Sequence, residues 1–159
     1  ILREYGEEKQ WRVAARTIVK ARSDKPIKTT RQLAEVLQPL FSWKKKGINP
    51  LTLIFQGLRI AVNRELEVLE KMLPQALNAL QKGGRLGVIT FHSLEDRIVK
   101  NIFRYAASDK EDTSGIGGIF LDKEPTIKIL TRKPISPAED EIARNPRSRS
   151  AKLRVIEKL

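Results

Sequence analysis

Gly83-Gly84-Arg85-Leu86-Gly87-Val88-Ile89-Thr90-Phe91-His92-Ser93-Leu94-Glu95-Asp96 is the stretch on which the reading of the fold turns. Two consecutive glycines end whatever helix precedes them. The short apolar run that follows predicts a buried strand, and a run with so few polar breaks predicts a parallel one. Ser93-Leu94-Glu95-Asp96 opens a helix on which Ile98, Ile102, Phe103 and Ala106 share one face. Helix, Gly-Gly, strand, polar turn and helix together predict half of a doubly wound α/β sheet. In such sheets ligands gather at the carboxyl ends of the strands, which is where Phe91-His92-Ser93 falls.

Upstream, Asn49-Pro50 reads as a helix start, with Asn as the cap and Pro in the first turn. Ile54, Leu58, Ala61, Val62, Leu66, Leu69, Leu73, Leu77 and Leu80 follow as one apolar stripe. Pro74 should kink it or divide it into two helices. Nearer the start, Trp11, Ala14, Ala15, Ile18 and Val19 mark a helix over about 8–22, with Arg12, Arg16, Lys20 and Arg22 largely off its apolar face. Lys25-Pro26 breaks that helix. Thr29-Thr30-Arg31-Gln32 is a capping-box signature that opens a second helix carrying Leu33, Val36, Leu37 and Leu40. Downstream, 108–125 is polar and glycine-bearing and reads as a loop. It is not a phosphate loop, because it lacks the Lys-Ser/Thr ending. Thr126–Leu130 predicts a strand, Ser136-Pro137-Ala138-Glu139 a capped short helix, Asn145–Ser150 a basic turn, and Ala151–Ile156 a final strand.

Composition narrows the function. The 159 residues carry 31 Lys+Arg against 19 Asp+Glu, a formal net charge of +12. That excess points to a polyanionic partner, with RNA or DNA ahead of a membrane surface. With no cysteine and one histidine, disulfide scaffolds, thiol nucleophiles, Cys-based zinc sites and multi-histidine metal sites are excluded. No metal site is expected. No apolar run reaches the roughly 20 residues needed to cross a bilayer. The chain starts at Ile1 and its one methionine is Met72, so either its start has been processed away or it is the C-terminal portion of something longer, the second being the expectation here.

His92 is the sharpest candidate for chemistry, set against the ordinary structural role of a lone histidine. Ser93 and Asp96 stand beside it and read equally as helix-capping residues. Adjacent His92 and Ser93, with no nucleophile elbow, argue against a hydrolytic triad. Arg147 and Arg149, within Asn145–Ser150, suit phosphate oxygens or a solubilising turn. Lys44, Lys45 and Lys46 after Trp43 read as a solvated charge run or as a nucleic-acid contact. Arg59 and Asn63, one helical turn apart, read as making a structural hydrogen bond or ion pair under the sheet, or as part of an RNA surface.

Three segments are specific enough to name a family. They are Phe55-Gln56-Gly57-Leu58-Arg59-Ile60-Ala61-Val62-Asn63-Arg64-Glu65-Leu66, the stretch from Gly83 through Arg97-Ile98-Val99-Lys100, and Asn145-Pro146-Arg147-Ser148-Arg149-Ser150-Ala151-Lys152-Leu153-Arg154. With Tyr5-Gly6-Glu7-Glu8 before the first helix, they closely resemble the bacterial small-subunit ribosomal RNA cytosine-N4 methyltransferases, the RsmH or MraW family. The resemblance covers essentially the whole chain and is weakest over 108–125. It implies a partial class I S-adenosylmethionine-dependent methyltransferase fold, Rossmann-like, with an inserted α-helical substrate-recognition domain. Residues 1–48 would be part of that insert, and 49–159 the C-terminal half of the methyltransferase domain.

The activity implied is S-adenosylmethionine-dependent methylation of the N4 amino group of a decoding-centre cytidine in 16S ribosomal RNA. The partner would be the small ribosomal subunit, and the location cytoplasmic or an organelle matrix. The family's glycine-rich cofactor loop, acidic ribose contact and acidic residue near the transferred methyl lie in its N-terminal half. No such segment is found here, because Gly83-Gly84 precedes a strand. The S-adenosylmethionine site is therefore expected mostly outside this chain, which alone should be inactive. His92, Ser93 and Asp96 would line the base pocket. Arg147, Arg149, Lys152, Arg59, Asn63, Arg12, Arg16 and Lys44–Lys46 would form the RNA-binding surface. The competing readings are a non-catalytic basic RNA-binding module and a DNA-binding protein using Arg31–Leu40 as its recognition helix.

Overall fold

The computed structural model describes residues 1–41, 49–112 and 120–159. Trp43, Lys44, Lys45, Lys46 and Gly115, Gly117 and Gly118 lie outside them. The chain divides into two compact units, Ile1–Glu65 and Leu66–Leu159. This division by packing falls later than the 48/49 boundary read from the sequence, which concerns which residues serve recognition and which catalysis.

The first unit is helical. The carboxylate of Glu8 accepts from the Gln10 amide at 2.8 Å just ahead of α1 (Trp11–Asp24). A reciprocal capping box opens α2 (Thr30–Leu37). Thr29 Oγ1 accepts from the Gln32 amide at 3.2 Å, and Gln32 Oε1 accepts from the Thr29 amide at 3.2 Å. Asn49 does not cap directly. Its Oδ1 takes the Leu51 amide in a turn, and α3 (Thr52–Asn63) begins beyond it. Leu2, Ala14, Leu37, Phe41, Leu51 and Ile54 form the buried core, with Trp11, Ile18, Leu33 and Phe55 packed on it. Gly57 on α3 meets Gly6 so closely that a Cβ there would lie 2.7 Å from the Gly6 nitrogen. Only glycine allows that backbone contact.

The long stripe does break, but not at Pro74. Arg64 takes a left-handed conformation (φ 54°) that ends α3, and α4 (Glu65–Ala79) is one helix that includes Pro74. The carbonyl of Glu70 loses its helical partner to proline, and Glu70 is exposed, so water can replace it. Val62 departs from the expected stripe and is 81% exposed.

In the second unit the turn at Gly83 (φ 77°) leads into β1 (Arg85–Thr90). This strand is neither buried on both faces nor parallel. Arg85, Gly87 and Ile89 are exposed while Leu86 and Val88 turn inward. β1 pairs antiparallel with β5 (Lys152–Lys158), Val88 opposite Arg154, and β5 pairs antiparallel with β4 (Ile127–Ile129). The described sheet therefore runs β1-β5-β4, a small antiparallel sheet in a mixed α/β chain. The small side chain of Gly87 hid the alternation that marks a one-sided strand.

α5 (Ser93–Ala107) packs on the sheet. Leu73 and Leu77 of α4, Val99 and Phe103 of α5, Ile127 and Ile156 make the core of this unit. Within the segment read as a loop over 108–125, β2 (Lys110–Asp112) and β3 (Phe120–Asp122) form an antiparallel pair. The short helix α6 (Glu139–Arg144) starts after Ala138 without a side-chain cap, so Ser136 does not have the capping role read for it. Pro146–Ser150 forms a 3-10 turn ahead of β5.

Candidate functional site

The end of β1 is closed by a capping box that centres on His92, not on Ser93. The His92 Nδ1 accepts from the Glu95 amide at 3.4 Å. The Glu95 carboxylate in return accepts from the amides of Phe91 at 2.8 Å and His92 at 3.3 Å. Binding Nδ1 as an acceptor puts the proton of the neutral ring on Nε2. The imidazole is 8% exposed. Its Nε2 stands 3.4 Å from Glu95 Oε1 but makes no hydrogen bond among the described residues. A buried donor without an acceptor is costly, so among the described residues this atom stands out as open to a further partner. Ser93 is exposed at the first position of α5. Phe91 has left the strand and is 54% exposed.

Asp96 faces the other way. Arg154 on β5 donates from Nε to Oδ1 at 2.7 Å and from Nη2 to Oδ2 at 3.1 Å, and Lys152 Nζ lies 3.6 Å from Oδ2. The hydrogen bond from Arg154 holds the Asp96 carboxyl below its ordinary range. The charges of Arg154 and Lys152 add to this, against the opposing effect of burial. A carboxylate held by a guanidinium fork is a poor proton acceptor, and Asp96 instead anchors α5 to β5. Lys152 is engaged in the same cluster as a second partner of Asp96.

Arg147 and Arg149 project from the 3-10 turn, exposed and with no acidic partner among the described residues. Between them Ser148 is buried and donates to the Asn145 carbonyl at 2.8 Å, which fixes the turn that presents both guanidiniums. In the first unit Arg59 is bound through Nε and Nη2 to Glu65 at 2.8 and 3.0 Å, and Asn63 Nδ2 joins at 3.1 Å. Both side chains therefore make a structural tie to Glu65, within the helical first unit and not under a sheet. Arg59 still lines a shallow cleft of about 360 Å³ with Asn49, Thr52, Phe55 and Gln56. Arg12 stacks its guanidinium 4.6 Å over the Trp11 ring, and Arg16 is exposed on the same helix.

Comparison with known proteins decides the lineage. The model of the MraW methylase family matches residues 1–159. The chain belongs to that family. A ribosomal RNA small subunit methyltransferase H from Protochlamydia amoebophila is 63% identical over 161 residues, covering 100% of this chain and 51% of that protein. The proteins of the same name from Clostridioides difficile and Citrifermentans bemidjiense are 48% and 49% identical, with 52% of each covered. The chain thus spans about half the length of the curated relatives it matches.

Membership of the MraW methylase family implies S-adenosylmethionine as methyl donor. The described residues do not by themselves fit it. No glycine turn leads from a strand into a helix among them, and Glu95 and His92 already occupy the amides at the β1–α5 junction. Two features of the site were not singled out from the sequence. Exposed Phe91 could have been suspected from an aromatic directly before a helix cap. The tie from Arg154 to Asp96 joins residues 58 apart and leaves no local signal.

Proposed function

We propose that this protein methylates the N4 amino group of a decoding-centre cytidine in 16S ribosomal RNA, with S-adenosylmethionine as donor. The observation that carries the reading is the family match over residues 1–159, with relatives named ribosomal RNA small subunit methyltransferase H. The +12 charge and the two exposed arginines of the 3-10 turn support an RNA partner. Residues 1–48 belong to an inserted helical substrate-recognition domain. Residues 49–159 are the C-terminal half of a Rossmann-like methyltransferase domain that works in the cytoplasm. The donor supplies an electrophilic methyl group and is held by residues outside this chain, so the chain alone is inactive.

The chemistry of the base sets what the described residues must do. The N4 lone pair of cytosine is delocalised into the ring, so the base has to be unstacked, oriented and held in register. Phe91 offers an exposed face on which a flipped base can stack. The Nε2–H of His92 can donate to the ring nitrogen or carbonyl of cytosine, both acceptors. Asp96 keeps α5, and with it His92, in place on β5. Arg147 and Arg149 grip phosphates on either side of the extruded nucleotide.

The test is RNA binding and methyl transfer by the full-length gene product. Arg147→Ala/Arg149→Ala should weaken RNA binding and lower the salt slope by about 1.4, taking about 0.7 per single-strand phosphate contact. His92→Phe should lower turnover with little change in RNA affinity. Calorimetry of the 1–159 chain with S-adenosylmethionine should register no tight binding. Tight binding by that chain would contradict the assignment of the donor site, and an unchanged salt slope would remove both arginines from it.

A further inference from the structure

We propose that a second anchor for an RNA phosphodiester lies in the cleft between α5 and the segment that follows β4. This rests on the RNA-methylating reading above and adds a contact to it. The outer side of β5 is paired twice, by β4 at Ile127–Ile129 and again by a bridge between Ile135 and Leu153. Between these the one-to-one ladder gives way to an irregular stretch in which the Leu130 and Thr131 amides both donate to the Val155 carbonyl, at 2.9 and 3.3 Å, and a concavity of about 220 Å³ lies beside it. Lys100, Phe103, Arg104, Ile129, Thr131, Arg132 and Arg154 line it.

Its charge is one-sided. Of the four cationic side chains, only Arg154 is neutralised, by Asp96. Lys100, Arg104 and Arg132 have no acidic partner among the described residues, and no carboxylate lines the cleft. Three like charges around one hollow repel each other, and a bound anion relieves that repulsion. A hydrogen-bond donor completes the set. Thr131 Oγ1 accepts from the Val155 amide at 2.8 Å, which holds the oxygen in place and leaves its O–H free to donate.

Size selects the ligand. The hollow is smaller than the roughly 300–1,000 Å³ clefts that take whole small molecules, so it suits a phosphate group and not a nucleoside. Guanidinium forks at Arg104 and Arg132 match phosphate oxygens, and Lys100 adds a point charge. Its lining is distinct from the 3-10 turn, so an RNA strand can be held here independently of Arg147 and Arg149.

The experiment compares the full-length gene product with Lys100→Ala/Arg104→Ala/Arg132→Ala and with the charge-keeping Lys100→Arg/Arg104→Lys/Arg132→Lys. It measures affinity for a single-stranded RNA oligonucleotide across salt concentrations. The alanine variant should bind about tenfold more weakly, with the salt slope reduced by about 0.7, while the charge-keeping variant stays near the original. In NMR spectra of the unsubstituted protein, inorganic phosphate should shift the Thr131 and Arg132 amides, and the oligonucleotide should displace it. Unchanged affinity and slope in a folded alanine variant, with methyl transfer intact, would overturn the cleft and leave the methyltransferase reading standing. Response to phosphate without displacement by RNA would overturn the RNA assignment in favour of a free anion. Failure of the unsubstituted protein to bind or methylate RNA would instead sink the reading on which the cleft depends.

Discussion

Replacing Arg154 with Met puts the tie between α5 and β5 to a direct test. Methionine keeps much of the stem volume but removes the fork that donates to both oxygens of Asp96, at 2.7 and 3.1 Å. The two side chains are 9% and 12% exposed, so water cannot replace the lost donors. Removing one partner of such a pair costs roughly 3–5 kcal/mol, because the surviving charge is left buried and uncompensated. Lys152, already 3.6 Å away and 41% exposed, can take over part of the charge. The expected loss therefore falls at the low end, about 3 kcal/mol, or a melting temperature lower by roughly 6–12 °C.

Asp96→Leu/Arg154→Met removes both charges and should recover most of that loss, so that a denaturation cycle gives a coupling of at least about 2 kcal/mol. The pH dependence has a definite sign. A carboxyl depressed in the folded state contributes stability that is complete above its ordinary value of 3.8 and is lost as pH falls through the lower folded value. The gap between the parent and Arg154→Met should close in that acid range. A loss below about 1 kcal/mol, the value of an ordinary exposed pair, or a cycle with no coupling, would refute the reasoning.

Three further substitutions probe the packing. Gly57→Ala should destabilise the first unit by about 1–3 kcal/mol despite alanine's better helix propensity, because its Cβ would press on the Gly6 backbone; a gain in stability by chemical denaturation would show that contact to be loose. Leu73→Ala, at a fully buried position of the second core, should cost about 2–5 kcal/mol in the same assay. Thr29→Ala should cost about 1 kcal/mol by removing the cap of α2, and amide exchange at Gln32 should speed up accordingly.

Local chemistry made the helices legible. The capping box at Thr29, the glycine turn before β1 and the apolar face of α5 each depend on residues within a few positions of one another. Strand pairing is set from far along the chain, and here the reading failed. Leu86-Gly87-Val88-Ile89 looks like an uninterrupted apolar run, yet it alternates between core and solvent and pairs antiparallel with residues 152–157. Pro74 drew attention as the helix breaker, while the actual break needed only Arg64 in a left-handed conformation, with Glu65 gathering Arg59 and Asn63 around it.

At the candidate site the sequence placed His92 at a strand end, and the fold puts it there. It could not show that the imidazole is itself the cap, or that Asp96 turns away toward Arg154. The arginines of the 3-10 turn were legible because exposure and charge are local properties. The cleft of Lys100, Arg104 and Arg132 was not, because three separated positions become neighbours only when α5 packs beside the irregular stretch after β4.

The central claim is that this chain serves an enzyme that places a methyl group on the N4 of one small-subunit cytidine. The most direct measurement is mass spectrometry of nucleosides from small ribosomal subunits incubated with the full-length gene product and S-adenosylmethionine. The account predicts one new N4-methylated cytidine mapping to the decoding centre, formed more slowly when His92 is replaced by Phe. Methylation of another atom or another RNA, or none by an active preparation on unmodified subunits, would contradict it.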